Sequence, residues 1–217
     1  PDNGQTSPGE TTVAGKPVTT VEETITASGS EKDLEGAAFS LLQAKGTPKS
    51  AKSIKLTWKK VPGATQYIIY GAKCGKKNHF KKLTTVTKTA YTQKKLKKGT
   101  YYKYIVLAVK GEQTLTMSKT IHVTTNGGKR GNNTKVTLNK RKLSLQAYKT
   151  KKLKAVLKAK RKVSLHRAIA WESSDPAIAE VTGKGNAIKV KAKSKGTCTI
   201  YAYAQNGICA SCRITVK

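Results

Sequence analysis

Three histidines, four cysteines and a few acidic residues are the side chains with which this 217-residue chain could do chemistry. Catalysis needs a nucleophile, a base and an orienting group converging on one pocket. His79, His122 and His166 fall in three separate expected elements: a strand-connecting loop, the last strand of a first unit, and a lysine-rich loop of a second. Nothing in that spacing makes a set, and each reads as a surface or packed residue. From Gly36 onward the only acids are Glu112, Glu172, Asp175 and Glu180. Glu172 and Asp175 flank a Ser-Ser turn, and Asp175 before Pro176 reads as a turn or N-cap residue. A calcium ion takes about six to eight oxygen ligands, which one or two acids amid lysines cannot supply. The glycine-rich stretches GKGN (183–186) and NGGKRGNN (126–133) lack both the Walker spacing and a strand-to-helix setting, so they read as loop and linker. The expectation is a non-enzymatic chain with no cofactor and no metal.

Cysteine leaves one local question open. Cys209-x-x-Cys212 is a lone pair, unlike a zinc site with two. By strand parity Cys198 faces inward with Ile200, and Cys212 with Ile214, whereas Cys209 takes the other face. If Gln205-Asn206-Gly207 forms a three-residue turn, Ala204 pairs with Ile208 and Cys198 lies opposite Ile214. Cys198 and Cys212 are then one pair out of step, marginal for a disulfide whose Cα atoms stand about 4.4–6.8 Å apart. A Cys198–Cys212 bridge and a pair of buried small hydrophobes are the two alternatives.

The elements that must carry these residues are strands. Ile54, Leu56 and Trp58 alternate with polar residues, as do Tyr67 and Ile69, then Tyr102, Tyr104, Val106 and Ala108. The pattern returns in Val136/Leu138, Leu143/Leu145, Leu153/Ala155/Leu157, Ile169/Trp171, Ile188/Val190, Ile200/Ala202 and Ile214/Val216. The basic segment AYKTKKLKAVLKAKRK steps by two from Leu153 to Leu157 and reads as a strand, not an amphipathic helix. Short strands separated by turns at this density are the pattern of a β-sandwich.

Charge divides the chain. Residues 1–35 hold seven of the eleven acids, two lysines and no aromatics, and read as a flexible acidic linker. The remainder carries 41 basic residues against four acidic ones, within a formal net charge of +32 for the whole. A Gly/Asn cluster at 124–133 separates two patterns, giving units at 36–126 and 127–217. The fold expected is all-β: two tandem β-sandwiches after the linker. No apolar run approaches the roughly 18 residues of a membrane span. The chain starts at Pro1 with no initiator Met or charged leader, so any signal peptide is expected upstream.

SIKLTWKKVPGATQYIIY followed by LKKGTYYKYIVLAV resembles a fibronectin type III domain over about residues 37–125, with Trp58, Tyr67, Leu96 and Tyr102 in the places of its second-strand Trp, third-strand Tyr and tyrosine corner. From 134 to 217, KVTLNKRKLSL and AWESSDPAIAEVTGKGNAIKVKAKSKGTCTIYAYA resemble the group 2 bacterial immunoglobulin-like domain. The second resemblance departs from its family in lysine density and in the long basic stretch Lys158–Arg167. Together they imply a tandem module of a secreted or surface protein of a Gram-positive bacterium, extracellular or cell wall-associated. There it would serve as a spacer or adhesive part, or as an accessory to an extracellular enzyme. A host surface protein is a partner such modules admit. Fold analogy alone does not grant function.

With 38 Lys and five Arg, the surface offers hydrated point charges rather than guanidinium forks, which argues against sequence-specific nucleic-acid reading. Attraction to polyanions follows from charge. Anionic cell-wall polymers and acidic glycans are the partners this allows. The densest clusters are Lys94, Lys95, Lys97 and Lys98 in the first unit, and Lys158, Lys160, Arg161, Lys162 and Arg167 in the second, both expected in loops.

Overall fold

The computed structural model describes residues 42–217, so the acidic stretch read as a linker lies outside the described residues. Among the described residues there is no helix. The described residues form sixteen strands, in two groups of eight.

The first group comprises β1 (Ala44–Ser50), β2 (Ser53–Trp58), β3 (Gln66–Lys73), β4 (Lys81–Val86), β5 (Ala90–Gln93), β6 (Tyr101–Lys110), β7 (Gln113–Met117) and β8 (Ile121–Thr124). One sheet runs β1-β2-β5. The other runs β4-β3-β6-β7, with β8 continuing along the same edge of β6. Ile54, Leu56, Tyr67, Ile69, Tyr104, Val106 and Ala108 are fully or almost fully buried together between the sheets, as the alternation predicts. Trp58 packs on Tyr67 with ring centroids 5.3 Å apart. The expected tyrosine corner is formed: the Tyr102 hydroxyl accepts from the Lys97 amide at 2.9 Å, while Leu96 is buried beside it. That bond satisfies a loop donor and ties the crossing between the sheets.

The second group comprises β9 (Asn133–Leu138), β10 (Lys142–Leu145), β11 (Thr150–Ala159), β12 (Ala170–Ser173), β13 (Ala179–Thr182), β14 (Ala187–Ala192), β15 (Gly196–Tyr203) and β16 (Cys209–Val216). Its sheets are β10-β16-β15-β12 and β13-β14-β11-β9. The basic segment is indeed a strand, β11, burying Leu153 and Ala155 while Lys152, Lys154 and Lys158 point outward. Leu153, Ile188, Val190, Cys198, Ile200, Cys212 and Ile214 form the core. Trp171 is half-buried against that core, its indole N–H donating to the Gly185 carbonyl at 2.8 Å. The GKGN loop is therefore held as a structural lid on the tryptophan. Asp175 caps its turn, Oδ1 accepting from the Ala177 amide at 2.9 Å.

The β15–β16 turn follows the sequence reading: Ala204 N donates to Ile208 O at 2.9 Å, and Cys198 faces Ile214 while Ile200 faces Cys212. Cys198 and Cys212 are buried free thiols on this diagonal, and Cys209 is an exposed one. Diagonal neighbours in a ladder stand about 7–8 Å apart, beyond the reach of a bridge.

Candidate functional site

The two sandwiches meet at a polar seam built around the turn Gln205-Asn206-Gly207. Polar turn residues are normally exposed, yet Gln205 and Asn206 are only 2% and 4% exposed. Their backbone explains why. Gln205 O accepts from His122 N at 2.6 Å and Asn206 O from Gly46 N at 2.9 Å, so the turn docks between β8 and β1 of the first sandwich. The Gln205 side chain braces the neighbouring loop, its Oε1 accepting from His166 N at 2.9 Å and its Nε2 donating to Ser164 O at 2.8 Å. Gly207 has φ +86°, and a Cβ there would collide with the Ala44 carbonyl oxygen. Only glycine fits both demands.

Around the turn, Tyr101 of β6 donates its hydroxyl to Gly131 O and accepts from Ser164 N. Lys119 pairs with Glu172 across the seam at 3.8 Å. Burial holds the Glu172 carboxyl above the usual carboxylate range, and the Lys119 ammonium pulls the other way.

Arg167 corrects the sequence reading. It was expected among the surface cations of the second unit, but it is only 7% exposed. Its Nε donates to Thr120 O at 3.1 Å and an Nη to Ala204 O at 3.2 Å, joining both sandwiches. A guanidinium supplies several donors in a fixed plane, which suits a site surrounded by carbonyls. It is a structural tie and offers no surface charge to a polyanion.

Cys74, His122 and His166 converge in this seam. Cys74 directly follows β3, and its backbone N–H donates to Tyr101 O at 2.9 Å. Its Sγ lies 3.5 Å from His122 Nδ1 on β8. The His166 ring, on the β11–β12 loop of the other sandwich, stacks on His122 at 5.3 Å and contacts the Tyr101 ring at 4.7 Å. One donor atom from each of the three residues lies within 4.8 Å of the others. Burial, then Arg167, His166 and Lys103, push the His122 imidazole down to about 2. The His122 ring is thus neutral at ordinary pH. The Tyr101 and His122 rings keep water from part of the His166 ring and lower its pKa as well, although the residue is exposed to solvent on its other side. The sequence reading found no such set, because the residues are 48 and 44 positions apart and docking alone brings them together.

The remaining cationic residues sit elsewhere. Lys94, Lys95, Lys97 and Lys98 are exposed on the β5–β6 loop. Lys158 lies within β11 rather than in a loop, while Lys160, Arg161 and Lys162 are exposed just beyond its end at Ala159. Arg161 donates to Gly128 O at 2.6 Å and, with Lys160 and Arg130, borders an open cleft of about 510 Å³ along the seam, also lined by Asn126 and Asn132. A further cationic surface was not singled out in sequence. On the outer face of β13-β14-β11-β9, exposed Lys135, Lys152, Lys154, Lys158, Lys189 and Lys191 stand together. Lys152 faces Lys189 and Lys158 faces Lys135 directly across the ladder.

Comparison with known proteins assigns the second sandwich. Residues 132–212 match the bacterial Ig-like domain (group 2). The second sandwich belongs to that family. The first, with its tyrosine corner, is fibronectin type III-like. Among solved structures, the chain is similar to the FN5 domain of Drosophila Lar at 29% identity, covering 40% of this chain and 95% of that one, with a TM-score of 0.35. It is similar also to the fibronectin type-III domain of human fibronectin type III domain containing protein 3, at 24% identity over 42% of this chain and 90% of that one, TM-score 0.34. No curated protein matches the chain. Immunoglobulin-like and fibronectin type III modules are typical of surface or extracellular proteins. Among the described residues no helix is long and apolar enough to cross a membrane.

Proposed function

We propose that this chain is a non-catalytic, load-bearing spacer in a larger extracellular or wall-associated bacterial protein. One observation carries the reading: β10, near the start of the second sandwich, pairs parallel with β16 at its end, Lys142 to Leu145 against Arg213 to Val216. Tension applied through the chain ends pulls those two strands past one another. Their hydrogen bonds then lie across the load and resist together, instead of opening one at a time. The docked turn between the sandwiches adds a stiff joint, as a spacer that sets distance requires.

Single-molecule pulling from the two ends tests this. The second sandwich is expected to unfold in one high-force event. Leu143→Pro, which deletes a backbone N–H from β10, is expected to lower that force and leave the first sandwich's event unchanged. Unfolding at low force in the unaltered chain, or indifference to Leu143→Pro, contradicts the spacer role.

A second reading, retention on anionic wall polymers or acidic glycans, is favoured by the lysine face of β14, β11 and β9. Like charges directly opposite in a ladder are destabilising, so the Lys152–Lys189 and Lys158–Lys135 pairs suit an anionic partner. Cross-strand neighbours about 5 Å apart, and same-face neighbours along a strand about 6.6 Å apart, form a flat lattice for a charged polymer.

A further inference from the structure

The convergence of Cys74, His122 and His166 lies outside the β10–β16 pairing that carries the load, and its donor set has a chemistry of its own. Thiolate and imidazole suit zinc and its first-row neighbours and disfavour calcium or magnesium. Tetrahedral zinc, about 2.3 Å from sulfur and about 2.05 Å from nitrogen, holds those two donors about 3.6 Å apart. Cys74 Sγ and His122 Nδ1 already stand at 3.5 Å. His166 is exposed on a loop, so its ring can turn to bring a nitrogen in from at most 4.8 Å. We propose that Cys74, His122 and His166 form a zinc site that staples the two sandwiches, two ligands coming from the first and one from the second.

Binding replaces the Cys74 S–H bond with a sulfur–zinc bond and releases that proton to solvent, while both imidazoles enter neutral. A water completes the four-coordinate shell. The surrounding charges limit affinity: Lys103 on β6 and Arg167 on the β11–β12 loop both bear on His122. The thiolate offsets one of the two positive charges brought by zinc. Ions lacking affinity for thiolate gain nothing comparable and are excluded by the same field.

The test titrates the reduced, metal-free 217-residue chain with Co²⁺ as an optical stand-in, then displaces it with Zn²⁺. One equivalent is expected to bind, with a thiolate-to-cobalt charge-transfer band that zinc abolishes. Cys74→Ser removes the band. His166→Gln, at an exposed position, weakens binding at least about tenfold, since even the partners that orient a ligand contribute that much. Cys209→Ser, at an exposed thiol outside the cluster, leaves it unchanged. Zinc also raises the melting temperature of the unaltered chain and not that of Cys74→Ser. Absence of the band, its persistence in Cys74→Ser, its loss in Cys209→Ser, or unchanged affinity in His166→Gln overturns the proposal.

Discussion

Tyr102 and Trp171 carry comparable-looking aromatic signals but do different work. The Tyr102 hydroxyl accepts one loop amide, so Tyr102→Phe is expected to lower stability by about 1 kcal/mol in denaturant unfolding. Trp171 fills the boundary of a core and holds the GKGN loop through its indole. Trp171→Ala is expected to cost about 3 kcal/mol, the low end for a large core truncation because the ring is half-buried. A neutral Trp171→Ala would show that the ring packs on nothing that matters. Two glutamates are displaced in opposite directions. Burial raises Glu172, so the folded state takes up a proton first; its contribution favours folding below the unfolded value and is lost as pH rises through the folded one. The hydrogen bond from Lys193, 2.5 Å from its carboxylate, lowers Glu180, whose contribution is present above the unfolded value and lost as pH falls through the folded one. Carboxyl NMR is expected to show Glu172 titrating above and Glu180 below the ordinary value of about 4.3, with Lys193→Gln moving Glu180 upward. The reverse order contradicts the placement of both. At this scale the sequence disclosed the corner tyrosine, because its partner is five residues away. It could not disclose Arg167, which is buried by carbonyls of two units.

Among the elements, period-two alternation marked the central strands because burial on one face forces it. Short strands such as β4, β5 and β13 are less legible, since edge residues are only half-buried and need not alternate. The Gln205-Asn206-Gly207 turn was readable as a turn, yet its polar composition concealed that it docks. Its glycine provides the test. Gly111, in the β6–β7 turn, has φ +58° with nothing within 4 Å of a built Cβ, so Gly111→Ala incurs backbone strain alone, about 1 kcal/mol. Gly207→Ala incurs similar strain and also the collision with Ala44 O. It is expected to destabilise the chain by clearly more than Gly111→Ala in parallel denaturant melts. Equal effects contradict a turn seated tightly against β1.

For the whole molecule, the excess of lysine acts through its arrangement on one sheet face. Replacing Lys152, Lys154, Lys158 and Lys189 with Gln is expected to weaken heparin binding more than replacing Lys94, Lys95, Lys97 and Lys98, although both change the charge by four. Equal losses at physiological salt would mean long-range attraction with no site. The all-β sandwich fold was visible in sequence because its cores are periodic. The seam was not, for its bonds run between backbone groups that any residue possesses. It is also the central claim: the two sandwiches form one body through the docked turn. Residual dipolar couplings of backbone amides in both sandwiches measure this most directly. A single alignment tensor fitting β1–β8 and β9–β16 together, which separates into two in Gly207→Ala, is the predicted result. Two unequal tensors in the unaltered chain would contradict it.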